Sequence, residues 1–216
     1  MFITFEGIEG SGKSTILRRM DIQLSALGLP VRRSLEPGGT PFGRELRRLL
    51  LDARGSDFSP EAELLLFLAD RAQHVQQVLL PALAEGFIVL CDRYVDSTLA
   101  YQGFGRGVPI EKIMHMNEFA TKGRWPDLTL LFDVPVELGL ARAGQRNREE
   151  GTELSEGRFD TERMDFHQRV RQGYLQLMER YPQRYALVDA SVPTDMVLQK
   201  ALALVRERLA LLRPGL

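Results

Sequence analysis

A glycine-rich segment near the beginning of the chain constrains the fold more than any other feature. Residues 2–5 are strand formers, Gly7-x4-Gly12-Lys13-Ser14 comes after them, and a helical pattern of apolar residues follows. A strand, a glycine-rich loop and a helix in this order are the context of a phosphate-binding P-loop. Glycine lets the loop curl so that several N–H groups and the positive end of the helix face one anion.

Two side chains of this segment have predicted roles if it is a P-loop. Lys13 is predicted to reach the β- and γ-phosphates of a nucleotide, and the hydroxyl of Ser14 is predicted to bind Mg²⁺. The alternative is a glycine-rich turn that binds nothing, although the fixed positions and the flanks of the motif are all matched. The motif indicates a nucleotide and leaves the reaction open.

Composition and charge bear on the class of protein. The 216 residues are 44% hydrophobic and 26% charged, which is ordinary for one soluble domain. A net charge of −1 gives no overall basic field for DNA or RNA. Cys91 is the single cysteine, so no intrachain disulfide can form and a cytoplasmic location is expected. The chain has no apolar stretch of 18 residues and goes straight into a strand, so neither a membrane span nor a signal peptide is expected.

Strand-like and helix-like segments alternate along the chain. Apolar runs such as residues 87–91 are typical of strands that are covered on both faces. The pattern predicts an α/β fold with a doubly wound, five-stranded parallel sheet flanked by helices, of the P-loop NTPase type. Ligands of such sheets lie at the carboxyl ends of the strands, which places residues 7–14, 36–39 and 92–93 on one rim. The predicted strands are 2–6, 31–34, 87–91, 128–132 and 185–188, and the predicted helices are 13–27, 42–52, a long helix opened by Ser59-Pro60, 109–122, 135–147, 160–181 and 194–211.

Residues 143–158 interrupt this alternation. Three glycines, many charges and almost no apolar residues predict a surface flap instead of a part of the core. With Arg142 included, residues 142–158 are expected to form a short mobile lid inserted in a single domain that spans residues 1–216. The alternative is a solvated linker, because the arginines of the segment are balanced by glutamates.

Two charged residues end the third predicted strand. Asp92 can bind Mg²⁺ directly or through water, and Arg93 can donate two hydrogen bonds to a phosphate. An ion pair at the strand end is the alternative. Because the P-loop shares the same rim of the sheet, a magnesium and phosphate site is the favoured interpretation.

Further polar and aromatic residues are candidates for nucleotide recognition. Phe67 and Arg71 are four residues apart on the predicted long helix, which suits a nucleobase, although such a pair is often only core and surface. Helical spacing cannot aim all of Arg44, Arg47 and Arg48 at one site, so one of them is expected at a phosphate. The three histidines share no ligand spacing, and we expect neither metal ligation nor nucleophilic catalysis from them. The other candidates for a sugar or base edge are Ser97, Thr98, Tyr101 and Gln102.

Taken together, the motifs resemble those of the thymidylate kinase family, a group of nucleoside monophosphate kinases. The similarity covers nearly the whole chain. The segments that carry it are Phe5-Glu6-Gly7-x-Glu9-Gly10-x-Gly12-Lys13-Ser14-Thr15, Glu36-Pro37-Gly38-Gly39-Thr40, Asp92-Arg93-Tyr94, Ser97-x-x-Ala100-Tyr101-Gln102-Gly103, Pro126-Asp127 and Asp133-Val134-Pro135.

The resemblance implies a Mg²⁺-dependent transfer from ATP to dTMP, giving ADP and dTDP, by an enzyme that forms homodimers. Glu9 would contact the sugar of dTMP or the metal, Phe67 would stack on thymine, and Arg71 would bind the edge of the base. Tyr101 would crowd the 2′ position of the sugar. The implied ATP site is Gly7, Ile8, Glu9, Gly10, Ser11, Gly12, Lys13, Ser14 and Thr15, and the implied dTMP site is Glu36, Pro37, Arg47, Phe67, Arg71, Arg93, Ser97, Thr98, Tyr101 and Gln102.

Arginines of the lid are implied to reach over the phosphates. The candidates, beside Lys13, Glu9 and Arg93 as catalytic residues, are Arg142, Arg146 and Arg148, and the pattern does not choose among them. Leu35 stands where members of the family usually carry an arginine, which bears on how strongly the acceptor phosphate is bound.

Two other functions compete with this interpretation. A deoxynucleoside kinase has a sugar hydroxyl as its acceptor and would need a carboxylate base, whereas the arginines and the Gly-Gly-Thr loop favour a phosphate acceptor. A nucleotide-operated switch that reads guanine would need an Asn-Lys-x-Asp motif, which the chain lacks.

Overall fold

A computed structural model describes residues 1–54, 57–152, 155 and 157–212. Two short π-helical stretches occur, one between the third and fourth α-helices and one after the fifth. In chain order the elements are β1 (Phe2–Glu6), α1 (Lys13–Ala26), β2 (Val31–Leu35), α2 (Pro41–Leu51), α3 (Pro60–His74), a π-helical turn (Val75–Leu79), α4 (Leu80–Ala84), β3 (Ile88–Asp92), α5 (Val95–Thr98), a π-helical segment (Leu99–Gly105), α6 (Ile110–Thr121), β4 (Leu128–Asp133), α7 (Val136–Glu150), α8 (Met164–Arg180), β5 (Tyr185–Asp189) and α9 (Thr194–Leu212).

The five strands form one parallel sheet in the order β2-β3-β1-β4-β5. The predicted sheet is therefore confirmed, and β1, which leads into the P-loop, lies at its centre. Each predicted strand ends within one residue of the observed one. The central position of β1 brings the ends of β3 and β4 to either side of the loop.

Both faces of the sheet are covered by apolar side chains. Successive residues of a strand point to opposite faces, and the two hydrophobic clusters divide accordingly. Ile3 and Phe5 belong to the larger cluster, whereas Phe2 belongs to a smaller one with Val89 and Cys91. This arrangement explains why the strand sequences are continuous apolar runs.

Helices α2 and α3 begin with the same kind of side-chain cap. The hydroxyl of Thr40 accepts from the N–H of Gly43 at 2.9 Å, and that of Ser59 accepts from the N–H of Ala62 at 3.2 Å. Proline follows each cap at the first helical position, where its missing N–H costs nothing. Along the described residues, no helix is both long enough and apolar enough to cross a membrane.

The surface flap predicted from residue 143 overlaps the predicted helix 135–147, and the structure shows the helix, because residues 143–150 belong to α7. Helix α7 runs to Glu150 and ends at Gly151, which adopts the left-handed conformation typical of a helix end (φ 66°). Ala143 is buried, although the segment was expected to contribute nothing to the core. Arginine, glutamine and glutamate have a high helix propensity and are common on the solvent-facing side of a helix. The polar residues of this segment therefore indicate an exposed helix face. Residues 153, 154 and 156 of the predicted lid lie outside the described residues.

Helix α8 begins four residues later than the predicted helix 160–181. The residues before it form turns, and two of them, Phe159 and Asp160, face the cleft described below. Asp160, the first residue of the predicted helix, lies instead in a turn with Phe159.

Candidate active site

The loop between β1 and α1 packs directly against α7. Gly10 has φ 66°, and a Cβ on it would lie 1.9 Å from the carbonyl oxygen of Gly139. Gly12 also has a positive φ of 82° and precedes the first residue of α1. Glycine is therefore required at residue 10 for the close approach and is favoured at residue 12 for the turn into the helix. Helix α1 begins at Lys13, directly after this loop, so the positive end of the helix adjoins the loop, as expected for an anion site.

Lys13 is held inside the loop. Its ammonium group donates to the carbonyl oxygens of Gly7 (2.8 Å) and Ile8 (2.7 Å) and to the hydroxyl of Ser11 (3.1 Å). Burial and the nearby Arg93 lower the pKa of Lys13 to about 7, against the opposing effect of neighbouring carboxylates. A phosphate in the loop would supply the negative charge that this buried ammonium lacks.

Ser14 and Asp92 meet at the end of the P-loop. The hydroxyl of Ser14 donates to Oδ2 of Asp92, so an alcohol and a carboxylate oxygen from β3 converge on one point. Oxygen ligands of this kind suit Mg²⁺, which usually takes one or two protein ligands beside substrate phosphates and water. The described residues contain no group of three or more His, Cys, Asp or Glu that would form an all-protein metal cage. The pair fits a magnesium ion that depends on nucleotide phosphates.

Arg93 crosses the cleft from the end of β3. It has the positive φ of 66°, which is uncommon for a residue with a side chain. Its Nη2 donates to Oε1 of Glu9 at 3.0 Å, and its guanidinium lies 4.9 Å from the ring centre of Tyr101. The hydroxyl of Tyr101 donates to the same oxygen of Glu9 at 2.6 Å. These three side chains form one charged and aromatic wall beside the P-loop.

The charge of Glu9 is maintained by its neighbours. Burial alone would raise the pKa of Glu9, but Arg93, His167 and Lys13 hold that pKa well below its usual range. Glu9 is therefore ionised at neutral pH and available to accept hydrogen bonds.

Arg71 is more deeply buried than the sequence predicted. Four of its five N–H groups donate to other parts of the chain, and the residue is 1% exposed. The remaining N–H, on Nη2, is the one from which a base edge could accept. The four acceptors are Glu36 Oε2 (2.7 Å), Thr98 Oγ1 (3.0 Å), Asn117 Oδ1 (2.7 Å) and the carbonyl oxygen of Tyr94 (2.8 Å).

One cleft of about 330 Å³ joins the P-loop to these residues. Its volume is within the usual range of small-molecule sites. All ten residues predicted to bind dTMP line the cleft together with most of the P-loop. The lining includes Glu9, Gly10, Gly12, Lys13, Ser14, Thr15, Glu36, Pro37, Arg47, Phe67, Arg71, Asp92, Arg93, Ser97, Thr98, Tyr101 and Gln102.

Three predicted residues of the P-loop are outside the cleft lining. Gly7 opens the loop with its backbone, the side chain of Ile8 is part of the hydrophobic core, and the buried hydroxyl of Ser11 donates to the carbonyl oxygen of Ile8 at 2.9 Å. Their side chains shape the loop, and only their backbone groups are placed to serve a ligand.

The three candidate lid arginines are in different surroundings. Only Arg146 of the three lines the cleft. Arg142 donates to the carbonyl oxygens of Ala190 (2.8 Å) and Ser191 (3.5 Å), beyond the end of β5, and Arg148 is exposed on α7. In this conformation the structure therefore separates residues that the sequence treated as equivalent.

Several residues of the cleft were not predicted. Phe159 lies 6.2 Å from Phe67 and 5.5 Å from Tyr101 between ring centres, and Asp160 lines the cleft beside it. Their segment is held by Arg158, whose Nη2 donates at 2.6 Å to the buried Glu63. Phe159 falls between the predicted flap, which ends at residue 158, and the predicted helix 160–181, so no sequence pattern assigned it to the cleft.

A buried carboxylate beneath the cleft links β1 to the turn that carries Arg93. Glu6 accepts from the N–H of Tyr94 (2.8 Å), the hydroxyl of Ser97 (2.6 Å) and the hydroxyl of Tyr174 (3.0 Å). Burial, followed by the charge of Asp96, raises the pKa of Glu6 from 4.5 to about 7. The folded protein therefore binds a proton at Glu6 more tightly than the unfolded chain does.

Glu6 is expected to make folding stability fall as the pH rises. Its raised pKa contributes stability that is complete below pH 4.5 and is lost as the pH passes 7. In Glu6→Gln, an amide that cannot ionise takes the place of the protonated acid. Relative to this variant, the wild type should lose about 2 kcal/mol between pH 5.5 and pH 8. Urea unfolding at the two pH values measures this difference, and a constant difference would contradict the assignment.

Comparison with known proteins agrees with the site. A model of the family described as thymidylate kinase matches residues 5–201. The chain belongs to the thymidylate kinase family. The thymidylate kinase of Desulfovibrio desulfuricans is 56% identical over 200 residues, which are 92% of this chain and 92% of that protein. The thymidylate kinase of Nitratidesulfovibrio vulgaris is 54% identical over 210 residues, or 97% of this chain and 98% of that protein.

A solved structure extends the agreement to three dimensions. The crystal structure of thymidylate kinase from Ehrlichia chaffeensis matches with a TM-score of 0.74 at 31% identity. The match covers 95% of this chain and 98% of that one. The sheet, the flanking helices and the P-loop thus belong to the nucleoside monophosphate kinase fold, and the chain is an enzyme of that class.

Proposed function

We propose that this enzyme transfers the γ-phosphoryl group of ATP to dTMP, giving ADP and dTDP. The observation that carries the proposal is that a single cleft is lined both by most of the P-loop and by all ten residues predicted for the acceptor nucleotide. Phosphoryl transfer requires the donor and acceptor phosphates to meet in line, and positioning of this kind can contribute about 7–11 kcal/mol.

The donor site is assigned to the P-loop, residues 7–15. Its N–H groups and the N-terminus of α1 cradle the phosphates, and Lys13 leaves its contacts with Gly7 and Ile8 to bind them. Ser14 and Asp92 would hold Mg²⁺, Asp92 directly or through water. When bound, Mg²⁺ neutralises charge that develops on the phosphate oxygens.

The acceptor site is assigned to the opposite side of the cleft. Phe67 supplies a flat face for thymine, and the free N–H of Arg71, with Thr98 and Gln102, borders its edge. Tyr101 and Glu9 are joined by a hydrogen bond and are assigned to the sugar. The remaining acceptor residues, assigned to the phosphate and its approach, are Arg93, Arg47, Ser97, Glu36 and Pro37.

This chemistry needs positive charge more than it needs a base. The second pKa of a phosphate monoester is about 6, so the attacking oxygen is already ionised at neutral pH. Charge accumulates on the transferring group, and Lys13 and Arg93 are placed to balance it. Arg146 lines the cleft and is the lid arginine that we assign to the same task. Closure of the lid predicted over residues 142–158 would exclude water from the reaction.

An ADP-release assay with different acceptors tests the function. With ATP and Mg²⁺, dTMP should support steady ADP production, whereas thymidine, AMP and GMP should not. Thymidine distinguishes a monophosphate kinase from a deoxynucleoside kinase, because the two differ in the acceptor oxygen. ADP release at the same rate without any acceptor would contradict the proposal and favour a hydrolase or a nucleotide-operated switch.

We further propose a cytoplasmic homodimer that binds no nucleic acid. Two large apolar side chains support a protein interface, since Leu65 on α3 is 54% exposed and Phe119 on the adjacent α6 is 87% exposed. The net charge of −1 supports the absence of nucleic-acid binding. Sedimentation velocity distinguishes the proposed dimer from a monomer.

A further inference from the structure

A buried histidine beside the cleft has unused hydrogen-bonding capacity. His167 is 0% exposed, and among the described residues neither of its ring nitrogens has a hydrogen-bond partner. Oε2 of Glu9 is buried without a partner in the same way. The two groups face each other, with Nδ1 of His167 lying 3.5 Å from Oε2 of Glu9.

Two adjacent buried polar groups without partners call for an explanation, because buried polar groups normally form hydrogen bonds. The large majority of buried side-chain polar atoms have a hydrogen-bond partner, and an unpaired one carries a substantial desolvation penalty. Here two such groups are adjacent, and the gap exceeds a normal hydrogen bond by only a few tenths of an ångström. Hydrogen bonds of catalytic sites are often long in the empty enzyme and shorten when ligands bind.

The other oxygen of Glu9 is already fully engaged. Oε1 accepts from the hydroxyl of Tyr101 at 2.6 Å and from Nη2 of Arg93 at 3.0 Å. These two hydrogen bonds fix the position of Oε1. The orientation of the carboxylate plane about Oε1 then depends on the group that binds Oε2. Among the described residues, the polar group that lies next to Oε2 is the imidazole of His167.

The backbone that carries His167 is held firmly against the cleft. Helix α8 packs along the π-helical segment that contains Tyr101. At two points the backbone of one element touches an aromatic ring of the other: a Cβ on Gly105 would lie 2.5 Å from the ring of Phe166, and a Cβ on Gly173 would lie 2.5 Å from that of Phe104. A small displacement of α8 therefore moves His167 and Tyr101 together.

We propose that His167 is a positioning residue that donates from Nδ1 to Oε2 of Glu9 when the acceptor nucleotide is bound. With Oε2 held by His167 and Oε1 held by Arg93 and Tyr101, the plane of the carboxylate is set for the sugar of the acceptor. This inference rests on the proposed function, in which Glu9 serves the acceptor. His167 itself does not touch the reacting atoms.

Three substitutions on α8 test the proposal. His167→Leu removes the donor at similar volume, and it should raise the KM for dTMP about tenfold or more while changing the KM for ATP less than twofold. His167→Asn keeps an N–H near the position of Nδ1 and should recover at least half of that loss on a logarithmic scale. Val170→Ala, a buried residue one turn away, controls for general destabilisation of the helix and should give no such selective change.

A double-mutant cycle shows whether the effect passes through Glu9. In a Glu9→Gln background, His167→Leu should add less than a twofold change in the KM for dTMP, because the partner charge is already absent. Full additivity, equal changes in both KM values, or an asparagine variant as impaired as the leucine variant would overturn the proposal.

The wild-type assay separates this inference from the proposed function. If the wild type phosphorylates dTMP and His167→Leu lacks the selective effect, only the positioning role fails. If the wild type does not phosphorylate dTMP, the proposed function fails. The double-mutant cycle of Glu9 and His167 is then measured as unfolding free energies by urea denaturation. Non-additive unfolding free energies would then support the contact between His167 and Glu9, and additive ones would overturn it.

Discussion

Replacing Lys13 with methionine is expected to reduce turnover by about 10³-fold or more, because the transferring phosphoryl group loses its buried ammonium partner. Methionine retains the length of the side chain and removes its charge. The three hydrogen bonds that Lys13 makes in the empty loop are all local, so the overall fold should remain intact. Steady-state kinetics with ATP and dTMP, together with circular dichroism, measure both outcomes.

Lys200→Met is the matched control for this prediction. It removes the same charge from an exposed position on α9. Its turnover should remain within twofold of the wild type. If Lys13→Met retained near-normal turnover in a folded protein, the assignment of residues 7–15 as the donor site would have to be abandoned.

Replacing Arg71 with leucine is expected to destabilise the protein by about 3–5 kcal/mol. The substitution leaves Glu36, which is 3% exposed, without the guanidinium that lies 2.7 Å from it. It also leaves Thr98, Asn117 and the carbonyl oxygen of Tyr94 without a shared donor. Urea unfolding measures the loss, and in the remaining folded enzyme the KM for dTMP should rise more than the KM for ATP.

Two comparisons separate the buried ion pair from a general effect of losing an arginine. Arg33→Leu breaks an ion pair with Asp21 in which the arginine is 49% exposed, so it should cost less than about 1 kcal/mol. Adding Glu36→Gln to Arg71→Leu removes the unpaired charge and should recover part of the stability. An Arg71→Leu variant as stable as Arg33→Leu would show that the buried network contributes little.

The sheet and the P-loop could be predicted because their signals are local. Continuous apolar runs mark strands that are covered on both faces, and the glycines of residues 7–12 mark a loop that must curl and approach another backbone closely. The rule that ligands bind at the carboxyl ends of parallel strands then predicts that residues 7–14, 36–39 and 92–93 lie together. The roles of the individual side chains at this rim remain predictions.

Other features depended on partners from distant parts of the chain. Phe67 and Arg71 were recognised as a pair on one helix, but the acceptors that bury Arg71 come from the loop after β2, from two points after β3 and from α6. His167 was set aside because no ligand spacing connected it to another residue, and its neighbour Glu9 is 158 positions away in the chain. Spacing along a sequence cannot reveal contacts of this range.

The segment from residue 143 shows where local patterns mislead. Charge and glycine content suggested a surface flap, yet the same arginines and glutamates form the exposed face of α7. The close contact between Gly10 and Gly139 fixes that helix against the P-loop. Whether Arg142, Arg146 or Arg148 faces the cleft follows from the rotation of this helix, which packing determines.

The sequence by itself determined the parallel sheet, the P-loop and the family, because each of them depends on short runs of residues whose backbone preferences act locally. Only the tertiary structure decided which charges are buried together, which lid arginine faces the cleft and which histidine adjoins Glu9. The physical reason is that side-chain desolvation and pairing depend on neighbours brought together by folding, and no local preference encodes them.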